Sequence, residues 1–202
     1  MLDLGAGAGR HVRLLLDCGF AVRAVDRDAS ALLPLVGPSC EIIETDLESG
    51  AAWPLGGGYD GIVVTNYLHR PLLPAIGQAL APGGVVIYET FAVGNERFGR
   101  PQNPHFLLRP SELLSAFAVL TIVAFEQGLV TEPRPAVIQR IAAIAGPLDR
   151  VPKIPVLTTT GALNVSVKRG NALRRATRPP EDARHDPGAQ KAGRGQATAP
   201  CA

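Results

Sequence analysis

Three glycines at alternate positions follow the first apolar residues of the chain, in Leu2-Asp3-Leu4-Gly5-Ala6-Gly7-Ala8-Gly9-Arg10. A short apolar run that breaks into such a series is a strand end entering a turn. The backbone there must visit dihedrals that a Cβ forbids and approach a ligand closely. The spacing narrows the choice of ligand. A dinucleotide fingerprint has its third glycine three residues after the second. Here Arg10 holds that position and the third glycine comes one residue early, at Gly9. The loop is that of a nucleotide cofactor without the spacing that cradles a pyrophosphate, which disfavours an NAD(P)-linked oxidoreductase.

Downstream, strand and helix patterns alternate. Apolar runs at 2–4, 21–26, 41–44, 61–65 and 85–90 read as strands buried on both faces of a parallel sheet. Helices are expected at 9–18, 29–36, 72–80 and 111–117, with Pro71 and Pro110 at openings where a missing amide costs nothing. Runs at 118–126 and 135–145 close the domain as strands, although Val137, Ile138, Ile141 and Ile144 in the second also fit a helical stripe. An open α/β sheet binds its ligands outside the carboxyl ends of the strands. Asp26 ends the second strand, where an acid accepts hydrogen bonds from ribose hydroxyls, while Asp28 suits a helix cap.

Charge divides the chain. Residues 1–146 carry ten arginines and no lysine against fourteen acids, a net charge of −4, whereas residues 147–202 carry ten bases and four acids, a net charge of +6. The second part has no Phe, Trp or Tyr, so it cannot bury enough apolar area to offset chain entropy. The expected division is a folded domain over 1–146 and a basic tail over 147–202, disordered from about Gly170, with one strand-like run at 162–167. Without stacking aromatics such a tail reads as solvated rather than as a nucleic-acid contact. Cys18, Cys40 and Cys201 are odd in number and widely spaced, which indicates neither a disulfide framework nor a zinc site. The longest apolar run, 113–125, is interrupted by Ser115 and Thr121 and is too short to span a bilayer. The cytoplasm is the default compartment, no membrane partner is expected, and no metal is.

The D-x-G-x-G-x-G arrangement from Asp3 to Gly9 resembles the first motif of class I S-adenosylmethionine (SAM) dependent methyltransferases. The segments Val63-Val64-Thr65-Asn66-Tyr67-Leu68-His69-Arg70-Pro71-Leu72 and Tyr88-Glu89-Thr90-Phe91-Ala92-Val93-Gly94-Asn95-Glu96-Arg97-Phe98-Gly99, continued by Asn103 to Leu113, are similar to a bacterial branch close to the tellurite-resistance methyltransferase group. The likeness covers residues 1 to about 145. It implies a Rossmann-like seven-stranded, mostly parallel α/β sheet with helices on both faces and one antiparallel strand near an edge. It implies SAM as methyl donor, with Asp3, Gly5, Gly7, Gly9, Asp26, Asp46 and Asn66 as the cofactor residues and Asp46 at the position that receives the adenine amino group. Family members begin well before the glycine loop, with helices that lid the cofactor, so an N-terminally truncated version of the fold is expected.

Methyl transfer from a sulfonium needs alignment above all, and a base only where the nucleophile arrives protonated. His69 and Glu89, at the carboxyl ends of central strands, are the catalytic candidates, and His69 could equally order the helix after Pro71. Tyr67, Arg70, Arg97 and Arg109 are the substrate-binding candidates, because guanidinium pairs bidentately with oxyanions. Asn66-Tyr67-Leu68-His69 departs from the Asn-Pro-Pro-Tyr signature of adenine and glutamine methylation, which argues against those substrates; the expected acceptor is a small molecule. The connection from 91 to 108 exceeds ordinary loop lengths and reads as a substrate lid. The alternative to an enzyme is a non-catalytic SAM-binding or scaffold protein.

Overall fold

A computed structural model describes residues 1–147; the expected disordered tail and the run at 162–167 lie outside the described residues. The strands, in chain order, are β1 (Leu2–Leu4), β2 (Val22–Asp26), β3 (Cys40–Glu44), β4 (Tyr59–Thr65), β5 (Leu80–Phe91), β6 (Thr121–Val130) and β7 (Ala136–Ile144). They form one sheet ordered β3-β2-β1-β4-β5-β7-β6. All neighbouring pairs are parallel except those of β7, which runs antiparallel to both β5 and β6. The Rossmann-like seven-stranded sheet is therefore present, with its single antiparallel strand next to the edge.

Side-chain alternation along β2 shows how the faces are covered. Val22 and Ala24 pack with Val12 of helix α1 (Arg10–Asp17) and with Leu32. Val25 points the other way, into the larger core that Leu4, Ile62, Val64 and Tyr88 share with Ile76 of α2 (Leu73–Gln78) and Leu113 of α3 (Glu112–Ala116). Helix α1 starts at Gly9, in the left-handed region at φ 77°. It stops at Gly19, also left-handed at φ 84°. The amides of Gly19 and Phe20 there reach back to the carbonyls of Leu16 and Leu15, the paired bonds of a Schellman stop that satisfies carbonyls otherwise left open.

Some elements differ from expectation. The helix expected at 29–36 is only a 3-10 turn, Leu33–Leu35. Pro34 has no amide to donate and its ring would meet the carbonyl four residues earlier, so an α-helix cannot run through it. The helix expected at 72–80 is a 3-10 turn, Arg70–Leu72, passing into the six-residue α2. β5 begins earlier than the pattern suggested, because Tyr59 pairs with Leu80 and the Ala81-Pro82-Gly83-Gly84 segment crosses as an irregularity in the ladder. The 136–144 segment is a strand and not a helix, being hydrogen-bonded along both edges.

A buried amide ties α3 to the sheet. Gln139 on β7 is completely buried. Its Oε1 accepts from the Leu113 amide at 3.1 Å and its Nε2 donates to the Arg109 carbonyl at 2.5 Å. Replacing it by a similar-sized apolar residue leaves the buried Leu113 amide without a partner and the Arg109 carbonyl with the Glu112 amide alone, and an orphaned buried group costs about 1 to 3 kcal/mol. We expect Gln139→Leu to lose roughly 2 kcal/mol or more in urea unfolding; unchanged stability would show that the amide does not anchor α3.

Candidate functional site

Strand order reverses at β1, which has β2 on one side and β4 on the other. The crevice outside the carboxyl ends of these strands is where an α/β sheet takes its ligand, and the glycine loop leaves β1 directly into it. Gly5, Gly7 and Gly9 all have positive φ, at 67°, 53° and 77°. They do so for different reasons. A Cβ on Gly5 would lie 3.1 Å from the Cβ of Tyr67, which follows β4, so Gly5 lets these two strand ends close together. A Cβ on Gly9 would come within 2.7 Å of Leu35 and 2.9 Å of Leu32, so this glycine lets the loop pack on the turn after β2. A Cβ on Gly7 would meet nothing within 4 Å among the described residues. Gly7 is thus the glycine whose open side a ligand could approach.

The loop is pinned from β2. The amides of Gly5 and Ala6 both donate to the Val25 carbonyl, at 2.9 and 3.0 Å. Asp26 Oδ2 accepts from the Gly7 amide at 2.7 Å and Oδ1 from the Asp28 amide at 3.1 Å. Asp28 in turn accepts from the Ser30 amide at 3.0 Å, so it caps a turn and not the expected helix. After β3, Asp46 Oδ1 accepts from the Glu48 amide at 2.9 Å, which turns the chain back across the cleft.

Two adjoining cavities result. The first, of about 290 Å³, is lined by Gly5, Asp26, Arg27, Thr45, Asp46 and Leu47. The second, of about 270 Å³, is lined by Asn66, Leu68, Thr90, Phe91 and Pro101. Glu48, Tyr67 and Phe106 line both and so form the junction. Burial first, and then the nearby Glu48 carboxylate, raise the Tyr67 hydroxyl pKa above its ordinary value, so it is a neutral donor at physiological pH.

Of the residues singled out from sequence, Gly5, Asp26, Asp46, Asn66 and Tyr67 line these cavities. Asp3 lies beneath the loop, only 1% exposed, and neither carboxylate oxygen has a hydrogen-bond partner among the described residues. Burial, and then the charge of Asp26, push its pKa up to about 6. The catalytic candidates sit outside the two cavities. His69 Nδ1 is 4.0 Å from Glu48 Oε2 at their edge, and Glu89 Oε2 is 3.3 Å from Arg140 Nε. Arg70 is engaged within the chain, donating to Glu112 at 2.6 and 2.9 Å and to the carbonyls of His105 and Leu107 at 2.7 and 2.8 Å. Burial opposes charge on Glu112, but its hydrogen bonds from Arg70 and the Arg109 amide outweigh this and hold its pKa below the usual value. Arg97 lies over the Phe98 ring at 5.7 Å, and neither it nor Arg109 lines either of these two cavities.

Sequence reasoning did not find Glu48 and Phe106. Glu48 carried a usable signal, since it is an acid two residues past Asp46 at the carboxyl end of a strand. Phe106 falls within the 91–108 connection read as a substrate lid, but nothing local singles it out there. A second unforeseen contact joins His11, on the first turn of α1, to Thr65 at the end of β4, with His11 Nδ1 3.2 Å from Thr65 Oγ1. Burial, followed by the charge of Arg10, lowers the His11 pKa. Among the described residues no cluster suits a metal ion, and no helix is long and apolar enough to cross a membrane.

Two measurements test this construction. Gly9→Ala adds a clash to an unfavourable φ, and overpacking alone costs about 1 to 3 kcal/mol; Gly7→Ala faces only the φ penalty, roughly 1 to 2 kcal/mol. We expect urea unfolding to rank Gly9→Ala as the more destabilised, and equal losses would contradict the different roles of the two glycines. Asp3, whose folded-state pKa of about 6 exceeds the ordinary ~3.9 of an unfolded chain, contributes stability that is complete below about pH 4 and lost as pH rises through about 6. Asp3→Asn should therefore stabilise the ligand-free protein near pH 7.5, on the order of 3 kcal/mol, and flatten its stability profile between about pH 4 and 6. A variant less stable than the parent at that pH would show that the carboxylate is paired.

No family model matches the sequence, and no curated protein matches it either. Solved structures do. TehB from Haemophilus influenzae superposes with a TM-score of 0.57 at 15% identity, over 72% of this chain and 57% of that one, so the chain spans little more than half its length. An S-adenosylmethionine dependent methyltransferase from Mesorhizobium loti matches at TM-score 0.56 and 16% identity, over 71% of this chain and 89% of that one. The Burkholderia thailandensis 1,6-didemethyltoxoflavin-N1-methyltransferase, solved with 1,6-didemethyltoxoflavin and S-adenosylhomocysteine, matches at TM-score 0.51 and 22% identity, over 71% and 69%. The strand order, the single antiparallel strand and the glycine loop at the reversal point agree with these likenesses: the chain has the fold of the class I SAM-dependent methyltransferases.

Proposed function

We propose that the protein transfers a methyl group from SAM to a small-molecule acceptor. The observation that carries this reading is the charge of the cleft. Asp26, Asp46 and Glu48 line the first cavity with Arg27 the only base among the described residues lining it, and the carboxylate of Asp3 beneath the loop has no hydrogen-bond partner among the described residues. A dinucleotide would bring two phosphate charges into this field, whereas SAM carries a sulfonium and an ammonium against one carboxylate. The residues present fit the cation. Bound there, SAM supplies a methyl group already activated for displacement by its sulfonium.

The remaining work falls to the protein. Asp26 would accept from the ribose hydroxyls and Asp46 from the adenine amino group. Asp3 and the open side of Gly7 would receive the amino-acid end, and Asn66 would border the second cavity where the acceptor enters. Positioning of this kind can supply several kcal/mol of the barrier, with about 7 to 11 as an upper range. Where the acceptor arrives protonated, His69 is the base we favour over Glu89, because its ring faces Glu48 at the cavity edge while the Glu89 carboxylate is engaged by Arg140. Arg70 acts by holding the connection that carries Phe106.

Isothermal titration of the full chain tests the cofactor assignment. S-adenosylhomocysteine should bind and NADH should not, and Asp26→Ala should weaken the former by about 1 to 3 kcal/mol, the cost of leaving hydroxyl partners unpaired. Binding of NADH would overturn the proposal; an unchanged affinity in Asp26→Ala would remove that residue from the site.

A further inference from the structure

We infer that the acceptor is a flat aromatic or heteroaromatic compound bearing a basic amine, held by the Glu48 carboxylate in the second cavity. The inference rests on the methyl-transfer reading above and adds the chemical class of substrate. Four features of the cavity carry it. Tyr67, Phe91 and Phe106 line it together with Pro101, a set of flat faces that suits a ring. Its volume, about 270 Å³, lies just under the range of drug-sized pockets, which limits the ligand to a small ring system. Glu48 is its only charged lining residue among those described. Two of the bases that could have recruited an anionic acceptor are engaged elsewhere, Arg70 on Glu112 and two carbonyls and Arg97 over Phe98, and Arg109 does not line this cavity.

Position makes Glu48 more than a surface acid. It lines both cavities, so an ammonium paired with it stands at the junction between the acceptor space and the proposed methyl donor. A carboxylate and an ammonium form a charge-assisted hydrogen bond, and aromatic faces beside them attract the same cation. A protonated amine has no lone pair for displacement. It must first give one proton to His69, whose Nδ1 lies 4.0 Å from Glu48 Oε2. The nitrogen lone pair then forms the N–CH3 bond as the S–CH3 bond breaks, and the sulfur keeps that electron pair as a neutral thioether. The proton passes from His69 to solvent.

The test uses matched probes of opposite charge, tryptamine against indole-3-propionate and phenethylamine against 3-phenylpropionate. Their affinities for the full chain saturated with S-adenosylhomocysteine are measured by ligand-observed NMR titration. In each pair the amine should bind at least about tenfold more tightly, a ratio that corresponds to ~1.4 kcal/mol. Glu48→Gln, at a side chain 45% exposed, should reduce the preference to within about threefold, and Asp60→Asn, an exposed acid away from both cavities, should preserve it. Equal binding, no binding of either probe, or preference for the carboxylates in a protein that binds S-adenosylhomocysteine overturns the inference and leaves the methyltransferase reading standing. Failure to bind S-adenosylhomocysteine overturns both.

Discussion

The backbone turns left-handed at Gly5, Gly7 and Gly9, three times in five residues, and the cleft depends on these turns. β1 contributes only Leu2–Leu4, yet it is paired on both edges, with β2 and with β4. It therefore delivers the loop to one fixed place, the point where strand order reverses. Each turn then does something that a side chain would prevent: Gly5 admits Tyr67, Gly9 admits Leu32 and Leu35, and Gly7 leaves space. The Asp26 carboxylate, accepting from the Gly7 amide, locks the result to the end of β2. Left-handed backbone is costly for residues with a Cβ and nearly free for glycine, so this arrangement of loop, cleft and aromatic junction is open to very few sequences.

Electrostatics sets stability against function in the same place. Asp3 is buried with no hydrogen-bond partner for its carboxylate among the described residues, and a carboxylate in that state raises its pKa and weakens the folded protein at neutral pH. A purely structural position would carry an amide or an apolar residue. The acid makes sense where a cation completes the site, and the three carboxylates around the first cavity act in the same direction. Beside the second cavity the strong ion pairing serves architecture. Arg70 and Glu112 are joined by two short hydrogen bonds, and Arg70 also ties down the carbonyls that flank Phe106. That leaves Glu48 to set the charge of the second cavity.

What could be read from sequence follows the range of the interactions. The glycine loop, the acid ending β2 and the acid after β3 are local patterns attached to strand ends, so their places in the cleft were legible. Helix 29–36 was overread because its apolar residues suit an amphipathic helix, while the decisive residue is Pro34. β5 was read short because Pro82-Gly83-Gly84 looks like a stop, and only pairing of Gly83 and Gly84 with Ala145 shows how the ladder crosses it. The arginines were beyond reach for a different reason. Arg70 finds Glu112 42 residues away, and an arginine looks free in sequence until its partner is known. Glu48 and Phe106 meet only when the segments after β3, β4 and β5 converge, and no single stretch of chain records that meeting.

The central claim is that this cleft is built for a SAM-type cation and not for a dinucleotide. The most direct measurement is mass spectrometry of the small molecules released from the full chain after native purification and incubation with equal concentrations of SAM and NAD. The account predicts that SAM, or its demethylated product S-adenosylhomocysteine, is recovered in stoichiometric amount with NAD absent. Recovery of NAD, or of neither cofactor from folded protein, would contradict it.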